Sequence, residues 1–250
     1  MIIIDAHAHL SLKDFDKDLH EVVKRAEKTG VVAVVCNGLD SASNRKVLEL
    51  SKEYSLIKPA LGFFPTDCEK VSDEDFNKEL EFIKSKKEEI IAIGEVGLDK
   101  KHFEDFEKQK ACFRKIIRLS KEIDKPLIIH SRFAEKEVIE MLEEEKAEKV
   151  VIHCFCGKKK LVQRCIDNKW CLSIPTIVVR SQQFQETVAM CPLKQLLTET
   201  DSPLLPHDPE LERNEPAYIV HSLEKIAEIK GLDVEELSKI IYSNYQRVFL

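Results

Sequence analysis

The chain has 250 residues, 34% of them charged and 43% hydrophobic, with a formal net charge of −6. That length suits a single domain over residues 1–250, and no apolar stretch approaches the ~18 residues that crossing a membrane requires. The acidic balance excludes a broad basic surface of the kind that coats duplex DNA, while leaving room for a local phosphate pocket.

The first apolar run, residues 2–4, begins without a cationic, cleavable leader before it, which predicts a cytoplasmic protein. It leads into Asp5-Ala6-His7-Ala8-His9-Leu10. On a strand, side chains at i and i+2 leave the same face, so both imidazoles aim at one spot, as a metal site requires. Alone, two solvent-facing histidines read the same way. Runs 31–35 and 56–61 follow, the second interrupted by Lys58-Pro59 and therefore the weakest strand. Ser72 before Asp73, Glu74 and Asp75 predicts a capped helix to about Glu89. Run 90–93 leads into Gly94-Glu95-Val96-Gly97-Leu98-Asp99, with a helix predicted over 104–123. Run 127–129 leads into His130-Ser131-Arg132 and a helix over 135–145. Run 150–152 leads into His153-Cys154-Phe155-Cys156-Gly157 and a helix over 158–168. Run 171–174 precedes a helix over 182–190, and run 195–197 leads into Thr198-Glu199-Thr200-Asp201-Ser202-Pro203. Asp233 and Glu236 have capping-box spacing for a last helix.

Strands alternating with helices at this density predict parallel βαβ units, and eight runs predict a (β/α)8 TIM-type barrel. Four histidines and two carboxylates then stand at the carboxyl ends of five strands, where barrel enzymes build their sites. An open doubly wound sheet would let those strand ends diverge. The Gly94-Glu95-Val96-Gly97 turn lacks a dinucleotide or P-loop pattern. The eight cysteines read as reduced thiols, with Cys36, Cys112 and Cys171 expected in the core. If strand alternation continues past His153, Cys154 and Cys156 turn away from it, which argues against thiolate ligation.

Taken in order, these motifs, with Arg213-Asn214-Glu215-Pro216 and the terminal Asn244, Arg247 and Phe249, resemble the TatD-like family of metal-dependent hydrolases, within the amidohydrolase-type barrels. The resemblance runs essentially end to end. It implies a deoxyribonuclease of the 3′–5′ exodeoxyribonuclease type that cleaves phosphodiester bonds at DNA ends with a metal-activated water. Under it, His7, His9 and Asp201 hold one divalent ion, His130 and His153 the other, and Glu95 bridges both. Asp201 and Glu95 are the catalytic carboxylates, with Asp201 accepting or orienting the water's proton. The mixed donor set suits two ions of Zn²⁺ or Mn²⁺, or of Mg²⁺ if several waters remain. Arg132 and Lys100 are the candidate substrate contacts, Arg132 gripping a phosphate oxygen and Lys100 joining Lys101 and His102 in a basic rim. Plain solvated charge is the competing reading of those lysines. Glu199 is a candidate to orient a ligand, and Asn214 and Glu215 are expected to fix a loop. The expected partners are DNA ends or a nucleotide-type substrate, with no membrane and no obligate protein partner.

Two positions depart from the family pattern. Gly62-Phe63-Phe64-Pro65 stands where the family commonly has Gly-x-His-Pro, whose histidine is associated with the substrate phosphate, and Lys100 replaces an aromatic. Paired metals also direct water at carbonyl carbon, so the alternative is a hydrolase of an amide, lactone or acyl ester, and Phe64 favours it. A non-catalytic scaffold would show gaps in the donor set, and none is present.

Overall fold

The computed structural model describes residues 1–101 and 103–250, and its eight parallel strands neighbour one another in chain order. They are β1 (Ile3–Ala8), β2 (Val31–Asn37), β3 (Ile57–Leu61), β4 (Ala92–Gly97), β5 (Leu127–His130), β6 (Val150–His153), β7 (Cys171–Ile174) and β8 (Leu196–Thr198). The circle closes through a parallel bridge between Ala8 and Ser202, beyond the end of β8. The architecture is the expected TIM-type barrel, with helices between successive strands. Almost every strand residue is buried, because a parallel barrel covers one face of each strand with helices and fills the other with side chains.

The weakest predicted strand is a full member of the sheet. Within β3, Pro59 lies opposite Cys36 of β2, and its carbonyl accepts from Ile91. In an extended strand the nitrogen and carbonyl of one residue point to the same side. The missing Pro59 N–H therefore faces β4, whose pairing with β3 begins only at Ala60 and Ala92.

The helices are α1 (Leu19–Thr29), α2 (Ser41–Glu53), α3 (Pro65–Lys70), α4 (Asp73–Ser85), α5 (Phe106–Ile123), α6 (Glu135–Glu144), α7 (Lys159–Asp167), α8 (Gln182–Met190), α9 (Ile219–Lys230) and α10 (Val234–Phe249). Ser72 caps α4 as expected, its hydroxyl accepting from the Asp75 amide at 3.1 Å. That helix stops at Ser85 rather than near Glu89, because the Lys86 and Lys87 amides tighten onto Ile83 and Lys84. Asp233 caps α10 by accepting from Glu235 and Glu236. On α5, Phe113, Ile116, Ile117 and Ile123 bury one stripe against the barrel. Helices α1, α2, α3 and α9 occupy stretches where the sequence reading names none. No helix among the described residues is long and apolar enough to cross a membrane. His102 lies outside the described residues.

Candidate metal centre

The carboxyl ends of β1, β4, β5, β6 and β8 bring together all six side chains expected at the centre. Glu95 sits between two histidine pairs. Its Oε2 is 3.1 Å from His9 Nε2 and 3.5 Å from His7 Nε2, while its Oε1 is 2.8 Å from His130 Nδ1 and 2.9 Å from His153 Nε2. Asp201 Oδ1 completes the first group, 3.3 Å from His7 Nε2 and 3.5 Å from His9 Nε2. Donor atoms of His7, His9 and Asp201, and separately of His7, Glu95 and His153, lie within 4.8 Å of one another.

Chain geometry explains the convergence. Glu95 needs its neighbours to come very close. A Cβ on Gly62 would stand 2.5 Å from the Gly94 carbonyl carbon and 2.7 Å from the Glu95 nitrogen, so only glycine lets β3 lie against β4 here. Asp201 takes a left-handed φ of 55° just past β8, and its amide donates to the His7 carbonyl at 2.9 Å. The His9 amide donates to Ser202 at 2.8 Å, so β1 and the segment after β8 hold each other at the ligands.

The charges of the cluster depend on one another. Burial opposes ionisation of Glu95, yet the imidazoles of His153 and His7 hold its carboxyl well below the usual range. Burial likewise opposes charge on His9, but its bonds to Asp201 and Glu95 push it up to about 10. Against the same opposition, Glu95 and Glu199 raise His153, Asp99 and Glu95 raise His130, and His7 and His9 lower Asp201. The pocket demands positive charge, and protons and cations are alternative ways to supply it. Donors about 2.0–2.2 Å from one tetrahedral cation lie roughly 3.3–3.6 Å apart, close to the separations here. The imidazole and carboxylate donors thus fit a divalent cation.

Three further residues hold this set in place. Asp99 Oδ2 lies 2.9 Å from His130 Nε2, turning Nδ1 of that ring toward Glu95. Glu199 is fully buried, accepts from the Ser173 hydroxyl and from the Cys154 amide at 2.8 Å, and lies 3.7 Å from His153 Nδ1. Asp5 accepts from the Thr200 amide at 2.9 Å and from the His7 amide at 3.2 Å, and burial pushes its carboxyl up to about 8. Sequence reasoning assigned no role to Asp5 or Asp99, although both stand in the quoted motifs, two residues before His7 and four after Glu95.

The remaining candidates separate. Asn214 donates to Thr176, to Thr200 and to Leu205, and Arg25 grips Glu215 with two bonds, so both residues fix the loop after β8. Arg132 is exposed at the cavity mouth and has no ion-pair partner among the described residues. Lys100 pairs instead with Glu137, 4.7 Å from the Phe106 ring centre, and does not line the cavity. Cys154 and Cys156, expected to face away from His153, both line the cavity. Alternation ends at Cys154, whose φ of 44° is left-handed. Contact with Cys154 holds the Cys156 thiol below its ordinary value, and the same contact, with burial, pushes Cys154 well above.

The cavity above the cluster measures about 460 Å³. Leu39, Phe64, Ile177, Phe184, Leu204 and Leu205 make its walls largely apolar, and the Phe64 ring centre is 4.8 Å from that of His130.

The family model for TatD-related DNases matches residues 4–250. The chain is 38% identical to the metal-dependent hydrolase YabD of Bacillus subtilis over 99% of both chains. It is 36% identical to the human deoxyribonuclease TATDN3, covering 99% of this chain and 94% of that one. The crystal structure of the TatD homologue YJJV from Escherichia coli superposes with a TM-score of 0.92 at 25% identity, over 99% of this chain and 97% of that chain. With this barrel and this donor cluster at its mouth, the chain belongs to the TatD family of metal-dependent hydrolases.

Proposed function

We propose that the protein, acting as one unit over residues 1–250, removes nucleotides from DNA ends in a reaction that requires two divalent cations. His7, His9 and Asp201 would hold one cation and His130 and His153 the second, with Glu95 available to both. The observation that carries this reading is the division of Glu95: Oε2 faces the His7 and His9 pair, while Oε1 faces His130 and His153. When bound, paired cations supply the Lewis acidity that lowers the pKa of water and offsets charge on a leaving oxygen.

The protein's own groups supply the rest. Asp201 is the proton acceptor, kept ionised by the two imidazoles beside it. Arg132 meets a nonbridging phosphate oxygen at the mouth, where a guanidinium matches two oxygens at once. A cavity of about 460 Å³ has room for one terminal nucleotide and excludes a continuous duplex. The related deoxyribonuclease TATDN3 supports the nucleic-acid substrate, and the 3′–5′ ssDNA/RNA exonuclease TatD of Citrobacter koseri, 29% identical, supports the polarity.

One observation favours a second reading. Phe64 and the other apolar walls give the cavity a single free cation among the described residues, Arg132, which suits a carbonyl substrate with an apolar group. Mn²⁺- or Mg²⁺-dependent release of mononucleotides from end-labelled single-stranded DNA decides between them. Asp201→Asn should slow that release by about 10²–10⁴-fold. A protein that binds two metals and releases nothing, yet turns over esters or amides, would establish the carbonyl reading.

A further inference from the structure

Beside the metal centre, the turn from β6 to α7 presents two thiols to one cavity. Cys156 is exposed and Cys154 half-buried, while the six other cysteines are all buried. Cys156 Sγ lies 3.4 Å from the Cys154 carbonyl oxygen, which folds the Cys156 side chain back over Cys154, and both residues line the same cavity. The turn is held in this form from several sides. Phe155 between them is buried, and its ring packs on Gly157, where a Cβ would meet it at 2.4 Å. Gln183 of α8 donates to the Cys156 carbonyl at 2.6 Å, and the Cys154 amide is tied to Glu199. Cα atoms two residues apart are at most about 7.6 Å from each other, and bending brings them into the roughly 4.4–6.8 Å that a disulfide spans.

We propose that Cys154 and Cys156 form a site of reversible oxidation by a hydroperoxide, closing to a disulfide that loosens the metal centre. Cys156, the accessible thiol, attacks a peroxide oxygen as its thiolate. The O–O bond breaks, hydroxide leaves, and Cys156 becomes a sulfenic acid. The Cys154 sulfur then attacks the Cys156 sulfur, the S–O bond breaks, and water leaves with the Cys154 proton. In total the thiol pair gives up two electrons and two protons, and hydrogen peroxide becomes two waters. Closing the bond draws Cys154 toward Cys156 and takes its amide from Glu199, the carboxylate facing His153 Nδ1. His153 then loses part of what orients it.

Hydrogen peroxide applied to the full chain, as the Mn²⁺-loaded protein, tests this without a substrate. Peptide mapping should show one cross-link, between Cys154 and Cys156, with loss of two hydrogens. Mn²⁺ affinity, read from the electron paramagnetic resonance of free ion, should fall by about 10- to 100-fold and return with dithiothreitol. Cys154→Ser and Cys156→Ser should each keep their own Mn²⁺ affinity through the same treatment. The proposal is overturned if both thiols stay open to alkylation, if oxidation runs to sulfinic acid on Cys156 alone, or if the disulfide forms and Mn²⁺ affinity does not change. None of these readouts depends on which bond the enzyme hydrolyses.

Discussion

Asp5 accepts hydrogen bonds from the Thr200 amide and hydroxyl and from the His7 amide, although it does not line the cavity. Its partners flank both ends of one ligand group, His7 directly and Asp201 through Thr200. Asp5→Ala leaves those donors unpaired in the interior, at a cost of about 1–3 kcal/mol each. The variant should melt at lower temperature and bind Mn²⁺ more weakly; wild-type values in both measurements would reduce Asp5 to a packing residue. The donor residues themselves were legible in the sequence because each closes an apolar run. Their supports were not, since a carboxylate that faces an amide 195 residues away carries no local signal. The left-handed backbone at Cys154 and Asp201 was equally hidden. Cysteine seldom adopts that conformation and aspartate does so more readily, and both are held in it here by long-range bonds, Cys154 to Glu199 and Asp201 to His7.

At the scale of elements, the approach of β3 to β4 decides where Glu95 stands. Gly62→Ala would push a methyl group into the backbone of Gly94 and Glu95, and overpacking of this kind costs about 1–3 kcal/mol. The substitution should lower both thermal stability and divalent-ion affinity, because the displaced backbone carries the Glu95 carboxylate that stands between the histidine pairs. A change in stability with unaltered ion affinity would show that β4 yields without moving Glu95. Runs of apolar residues located all eight strands, including the third, where Lys58-Pro59 weakened the signal but the missing donor fell on a side not yet paired. Helices α1 and α9 were not read from the sequence although each buries an apolar stripe, Val22, Val23 and Ala26 in the first and Ile219, Leu223, Ile226 and Ala227 in the second; neither opens on a side-chain cap that marks its start. The side chains after β6 went astray for a different reason. Alternation predicts direction only while the strand lasts, and β6 ends at His153.

For the whole molecule, the candidate ligands come from five strands spread around the barrel, so an ion bound among them ties together elements from both halves of the chain. An ion at about 100 times its dissociation constant adds about 2.7 kcal/mol to the folded state. In a chain of this size that corresponds to a rise in Tm of roughly 5–10 °C on adding Mn²⁺ or Zn²⁺ to chelator-treated protein. Glu95→Gln should lose most of that rise, and a Tm indifferent to chelator and metal alike would count against a bound cation. The seam between the first and last strands gives this arrangement a direction in time. His7 and His9 leave the ribosome early, whereas Asp201 and the bridge from Ala8 to Ser202 arrive only after all eight strands have been made. A nascent chain carries half a binding site for most of its synthesis, and a fragment broken anywhere between the two ends inherits the same deficit. Competence to hold a cation between His7, His9 and Asp201 would thus be a certificate of a finished barrel.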